Sequence, residues 1–136
     1  MPDIAITGIQ FTRKPAPTSV LINATVGLFD VLSVDPASPN SYIPANAKTA
    51  DAAKATYIAM SAGIASQYIL VIPITSIALL VGDALTQGLQ YVVSTNAGKI
   101  APRTDLVTGE FITELFLADA GNVIRMSLDI TGIAVP

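Results

Sequence analysis

Residues 68–81 read YILVIPITSIALLV, and the way this run is taken decides the fold. It lies within residues 55–82, a stretch of 28 without a formal charge, so a hydropathy window marks it as a candidate membrane span. Three features oppose a helix. The dense apolar part is 14 residues, short of the roughly 20 that cross a bilayer. Pro73, Thr75 and Ser76 interrupt it, and β-branched residues dominate over the helix formers Leu and Ala. No Lys/Arg cluster or pair of interfacial aromatics flanks it. Two buried strands, 68–72 and 74–81, meeting around Pro73 to Ser76, account for it better.

Working outward, turn signals recur roughly every eight to twelve residues, the spacing of an all-β domain. Strand-like runs occupy 4–11, 20–24, 28–34, 57–60 and 111–118, with a short one at Tyr42-Ile43 stopped by Pro44. Residues 35–40 (DPASPN) are a polar turn or loop, 82–83 and 87–88 are turns, and 105–109 is a further loop. The clearest hairpin joins 89–94 (LQYVVS) to 99–101 through Thr95-Asn96-Ala97-Gly98, where Asn and Gly tolerate positive φ. Residues 122–130 read as the closing strand, paired with 111–118 through 119–121. Ile124, Met126, Leu128 and Ile130 alternate with Arg125, Ser127 and Asp129, so one face is buried and one wet.

Helix propensity is high only at 49–55 (TADAAKA), with Thr49 as N-cap, enough for a turn or two. Before residue 18, the run RKPAP at 13–17 holds two prolines that fix φ and remove donors. It separates a short extended arm and hinge, residues 1–17, from an all-β domain, residues 18–136. The expected architecture is a single compact barrel- or tulip-like sandwich of short antiparallel strands, with at most one short helix.

The inventory constrains chemistry more than it suggests any. The 136 residues include no His, Cys or Trp, and Glu occurs only at positions 110 and 114. The usual general base, thiol nucleophile and soft metal ligands are therefore missing. Glu110 and Glu114 share a strand face but stand two pleats apart, and they read as solubilising charges rather than a glycosidase pair. Asp83, Asp105 and Asp119 sit in loops where Asp makes side-chain turns, without the clustering of a calcium site. No SxxK, GxGxxG or P-loop spacing occurs. The four tyrosines at 42, 57, 68 and 91 read as strand packing. The expectation is a protein without catalytic residues, cofactor or metal.

Hydrophobic residues make up 51% of the chain and charged ones 12%, half the usual share. A surface that poor in charge points to cover by copies of itself or by a larger assembly, the plain alternative being a small neutral Ser/Thr/Asn surface. Net charge is −3 and Arg13-Lys14 is the only adjacent basic pair, which speaks against nucleic acid as a partner. The start Met1-Pro2-Asp3 lacks the pattern of a signal peptide.

Residues 82–94 (GDALTQGLQYVVS), 97–102 (AGKIAP), 105–113 (DLVTGEFIT) and the closing Gly132-Ile133-Ala134-Val135-Pro136 together resemble small bacteriophage structural proteins of the capsid decoration (cement) type. The resemblance covers about residues 55–136 and is a pattern of turns and strands, not a catalytic signature. This chain departs from it in the more apolar 68–81 run, and in carrying Ile64-Ala65-Ser66-Gln67 where relatives often have a Gly-rich connection. The resemblance implies an all-β domain that self-associates, often as a trimer, and binds the major capsid protein on the outside of an assembled phage shell. It also implies a place in the virion, with host cytoplasm during assembly, and no membrane partner. A phage tail, fibre or head-fibre component that attaches to a host or surface is the alternative, although exposed loop-tip aromatics and a repetitive shaft are lacking.

On this reading the contact residues are Ile4, Ile6, Ile9 and Phe11 of the arm, Arg13 and Lys14 against an acidic capsid surface, and Tyr68, Ile72 and Ile74 at a subunit contact. An arm of this kind adds a strand to a neighbour's sheet edge, the alternative being a first strand paired within its own domain. Removing residues 1–17 is then expected to abolish capsid binding and leave the domain folded.

Overall fold

The computed structural model describes residues 3–4, 6–10, 16–76, 78–81, 85, 87–118 and 123–136, the side chains of 9, 10, 76, 78–81 and 123–125 excepted. The chain is all-β. Its strands are β1 (Ile6–Gln10), β2 (Thr18–Leu21), β3 (Val31–Asp35), β4 (Ser38–Pro44), β5 (Tyr57–Ala59) and β6 (Tyr68–Pro73), then β7 (Ala78–Val81), β8 (Gln90–Val93), β9 (Ile100–Pro102), β10 (Phe111–Leu117), β11 (Val123–Arg125) and β12 (Asp129–Ala134). They form antiparallel sheets ordered β2-β6-β5-β3-β4, β12-β10-β8-β9 and β1-β7-β11.

The five-stranded sheet curls until its outer strands touch. A parallel bridge joins Ile22 to Tyr42, and the Asn23 N–H donates to the Tyr42 carbonyl at 2.9 Å. Inside the curl lies a core of Val20, Ile22, Val26, Leu32, Ile69 and Val71, closed by Tyr42 and Tyr57 packed edge to face at 5.4 Å. The outer face of the same sheet contributes Val31, Ile58 and Ile72 to a larger core, which the four-stranded sheet completes with Tyr91, Val93, Ile100, Leu115 and Phe116. Tyr91 and Phe116 stack there at 5.0 Å. β3 and β6 are thus covered on both faces over part of their length. That is why Val31-Leu32 and Val71-Ile72 are apolar without alternation.

The hairpin expected at 89–101 is present as β8 and β9, with Tyr91 opposite Pro102 and Val93 opposite Ile100. Gly98 takes φ +81° in its loop, the left-handed region that favours glycine. Two strand expectations are corrected. The run after Pro73 is not one strand. Ile74–Ser76 form a 3-10 turn, after which β7 leaves the five-stranded sheet to lie between β1 and β11. Pro73 has no N–H with which to extend its ladder.

The closing strand is likewise divided. β11 pairs with β7, residues 126–128 carry the chain across, and β12 rather than β11 pairs with β10. Thr131 and Gly132 are extra residues in that pairing, because Ile133 and Ile130 face the consecutive residues Ile112 and Thr113. Gly132 adopts φ +66°, and the Thr131 hydroxyl donates to the Ile112 carbonyl at 2.6 Å. The result is a wide bulge on an edge strand.

No α-helix forms at 49–55. Thr49 does cap a turn, its Oγ1 accepting from Ala52 N–H at 3.1 Å, but the chain stops after that turn. Ala52, Ala53 and Ala55 are buried against the body, where the Thr113 hydroxyl donates to the Ala53 carbonyl at 2.5 Å. Tertiary contact outweighs helix propensity there.

Residues 3–4 and 6–10 follow the alternative reading of the arm, lying against their own domain instead of standing off toward a neighbour. Ile4 belongs to the larger core and its N–H donates to the Ile100 carbonyl at 2.9 Å, while β1 pairs antiparallel with β7 of its own chain. Phe11, Arg13 and Lys14, with the turns expected at 82–83 and 119–121, lie outside the described residues. Removing residues 1–17 therefore opens the core instead of sparing the domain. Ile4→Ala is expected to lower unfolding free energy by about 2–4 kcal/mol, as deletion of buried isoleucine atoms does. Urea unfolding of the full chain checks this, and an unchanged midpoint would place Ile4 outside the core.

Candidate functional site

A cleft of about 380 Å³ opens where Asp3, Ile4 and Ile6 meet the 27–30 loop and the start of β9. Ile4, Ile6, Phe29 and Ile100 supply its apolar wall, and Asp3, Asp30 and Lys99 its charge. Phe29 holds φ +66°, a costly conformation for an aromatic residue. The surrounding hydrogen bonds impose it: Phe29 N–H to the Ala59 carbonyl at 2.9 Å, and Asp30 N–H back to Gly27 at 3.2 Å.

Asp30 is nearly buried, and both its oxygens are engaged. Oδ2 accepts from Gly27 N–H at 2.8 Å and Oδ1 from Lys99 Nζ at 3.0 Å. Gly98 is required beside it, since a Cβ there would lie 2.6 Å from the Asp30 Cγ. Asp3 accepts from Ser94 Oγ at 2.6 Å and from Asn96 Nδ2 at 2.9 Å, which ties the N-terminal segment to the β8–β9 loop. These carboxylates hold loops in place. The cleft presents two of them already hydrogen-bonded beside a lysine that is itself paired, an arrangement that fastens the backbone rather than activating a nucleophile.

The other acids are used in the same way. Glu110 is buried, which corrects its expected place on a wet strand face. Its carboxylate accepts from Thr95 Oγ1 and, at 2.9 Å, from Val107 N–H, and so closes the 105–109 loop. Glu114, half-buried in β10, stands opposite Asp129 of β12. Asp35 accepts from Asn23 Nδ2 at 2.8 Å and from Ala37 N–H at 2.9 Å, bracing the β3–β4 turn and the seam of the curled sheet.

Exposed large apolar side chains are spread over the described residues, Leu28, Val34 and Ile64 lying apart from the two groups that follow. On the outer face of β6, Tyr68 is 71% and Leu70 46% exposed. Leu21 and Ser19 of β2 stand opposite them in register. Near the chain end, Val107 and Ile133 are each 63% exposed, with Leu117 and Ile130 also uncovered on β10 and β12. Of the expected contact residues, Tyr68 is thus available, but Ile72 and Ile74 are buried in the larger core together with Ile4. Ile6 is half-buried against that core, and Ile9 pairs with Leu79. Leu70 escaped the sequence reading, although period-two spacing from Tyr68 places it on the same face. Ile133 escaped because the bulge at Thr131-Gly132 is not written in any alternation.

A scan of protein-family models finds no match, and no curated protein or solved structure matches this chain. No described helix is long and apolar enough to cross a membrane.

Two consequences are measurable. Gly98→Ala forces both a strained φ and a collision with Asp30, so it is expected to destabilise by more than about 1 kcal/mol, read as a lower urea midpoint. The Asn23 side chain, then the Ala37 N–H, hold the Asp35 carboxyl below its ordinary 3.8. A lowered folded value means stability that is present above about pH 4 and lost as pH falls through the folded value. Asn23→Ala should therefore cost stability at pH 7, and the gap from the parent chain should shrink below pH 3.8. A gap independent of pH would refute the role given to Asp35.

Proposed function

We propose that this chain is a structural assembly protein that binds copies of itself, as a trimer, and the outer surface of an assembled phage capsid, as the decoration proteins it resembles do. What supports the reading is that several of its exposed large apolar side chains lie on different sheets, Tyr68 and Leu70 on β6 and Ile133 on β12, with Val107 in the loop before β10. A molecule that cements a shell has two kinds of neighbour, its own copies and the lattice beneath. Burying a leucine or isoleucine on assembly contributes about 1.5–3 kcal/mol. A symmetric shell repeats that gain at every site and draws the equilibrium toward the assembled state.

The acids fit this role as well. Asp3, Asp30, Asp35 and Glu110 each hold a loop through hydrogen bonds. A rigid, pre-organised surface loses less entropy on binding than a mobile one.

Co-sedimentation with assembled phage capsids stripped of their own decoration protein tests the proposal. Saturable binding to shells, weaker binding to unassembled capsid protein, and a higher temperature of shell disruption are expected. Equal binding to assembled and unassembled capsid protein, or binding that leaves shell stability unchanged, would overturn it.

A further inference from the structure

Two charge-free segments of sequence, 15–29 and 55–82, are distant along the chain. The fold lays them side by side, through the antiparallel pairing of β2 with β6 and the bridge of Val26 to Gly63. On the outer face of that pair, Tyr68 stands opposite Leu21 and Leu70 opposite Ser19. Met60 and Ser61 border Leu70 on its other side, the Met60 N–H donating to the Leu70 carbonyl at 2.8 Å and the Leu70 N–H to Ser61 Oγ at 3.1 Å. Neither strand, nor the 60–67 connection, carries a formal charge.

We infer that this β2–β6 face is where a second copy of the chain docks. The inference rests on the assembly reading above and assigns the self-contact to one surface. Electrostatics selects the occupant. The chain carries net −3, so two copies that meet through a surface containing acids repel each other. The apolar surface near the chain end is of that kind, with Glu114 and Asp129 directly opposed on β10 and β12, although Arg103 stands beside Asp105 in the turn before Val107. Among the described residues, β2, β6 and the 60–67 connection bring no formal charge to the β2–β6 face. That face offers apolar groups beside hydroxyls, which suit a contact repeated around the ring axis of the proposed trimer. The charged surface near the chain end is left for a different partner.

Mass measurement across a concentration series tests this on the full chain, with Leu70→Lys, Tyr68→Lys and Ser19→Lys compared with the parent. All three positions are exposed, and Ser19→Lys removes no apolar contact at all. The parent is expected to self-associate and each variant to revert to the 14.1 kDa single chain, while Val107→Lys leaves the oligomer intact. An oligomer that survives all three β2–β6 variants would overturn the assignment and leave the assembly reading standing. A parent that remains a single chain at every concentration would overturn it as well, including the case in which Tyr68 and Leu70 instead bind vesicles of uncharged lipid. Co-sedimentation of the same variants with capsids reports separately on shell binding.

Discussion

The sheet formed by β2 to β6 serves two cores at once, and the rest of the molecule depends on that shared wall. Val31 and Leu32 are neighbours in sequence but belong to different cores, as do Val71 and Ile72. A strand that is wet on one face tolerates polar residues at every second position. One covered on both faces does not. The apolar density of 68–72 follows from this position. So does the depth to which Ile72 is buried, since it carries the contact between the curled sheet and the four-stranded one.

The all-β character was legible because turn residues punctuate the chain at strand spacing and because the β8–β9 hairpin carries its own loop chemistry at Asn96 and Gly98. Strand existence was recoverable along most of the chain. Strand partnership was not. Nothing in 74–81 announces that the chain turns at Ile74 and changes sheets, and nothing in 122–130 says that the first half pairs with β7 and the second with β10. Alternation reports which face is wet, not which neighbour is present. The Thr49 cap was read correctly, but a cap marks where a helix begins, and here burial of three alanines ends it after one turn.

The acids show the same limit. Glu110 reads as a surface charge until the 105–109 loop folds back over it, and Asp30 gains its role only when Lys99 arrives from across the domain. In a chain with so few ionisable groups, the long-range hydrogen bonds of Asp3 and Asp30 stand out as ties between separate loops. Sequence spacing alone does not reveal such ties, since their partners lie far apart along the chain. The exposed leucine at position 70 is a different case: it was readable from period two, once the covered and uncovered halves of β6 are told apart.

The bulge at Thr131-Gly132 bears on how such a molecule behaves in a crowd. An outermost strand with a straight ladder invites another chain to continue it, and that growth has no natural end. Here the Thr131 hydroxyl bonds both the Ile112 carbonyl and the Ile133 N–H, so the margin is kinked and one of its donors is already satisfied. Association is thereby steered away from open-ended stacking of backbones and toward side-chain contacts, which close on a finite number of partners.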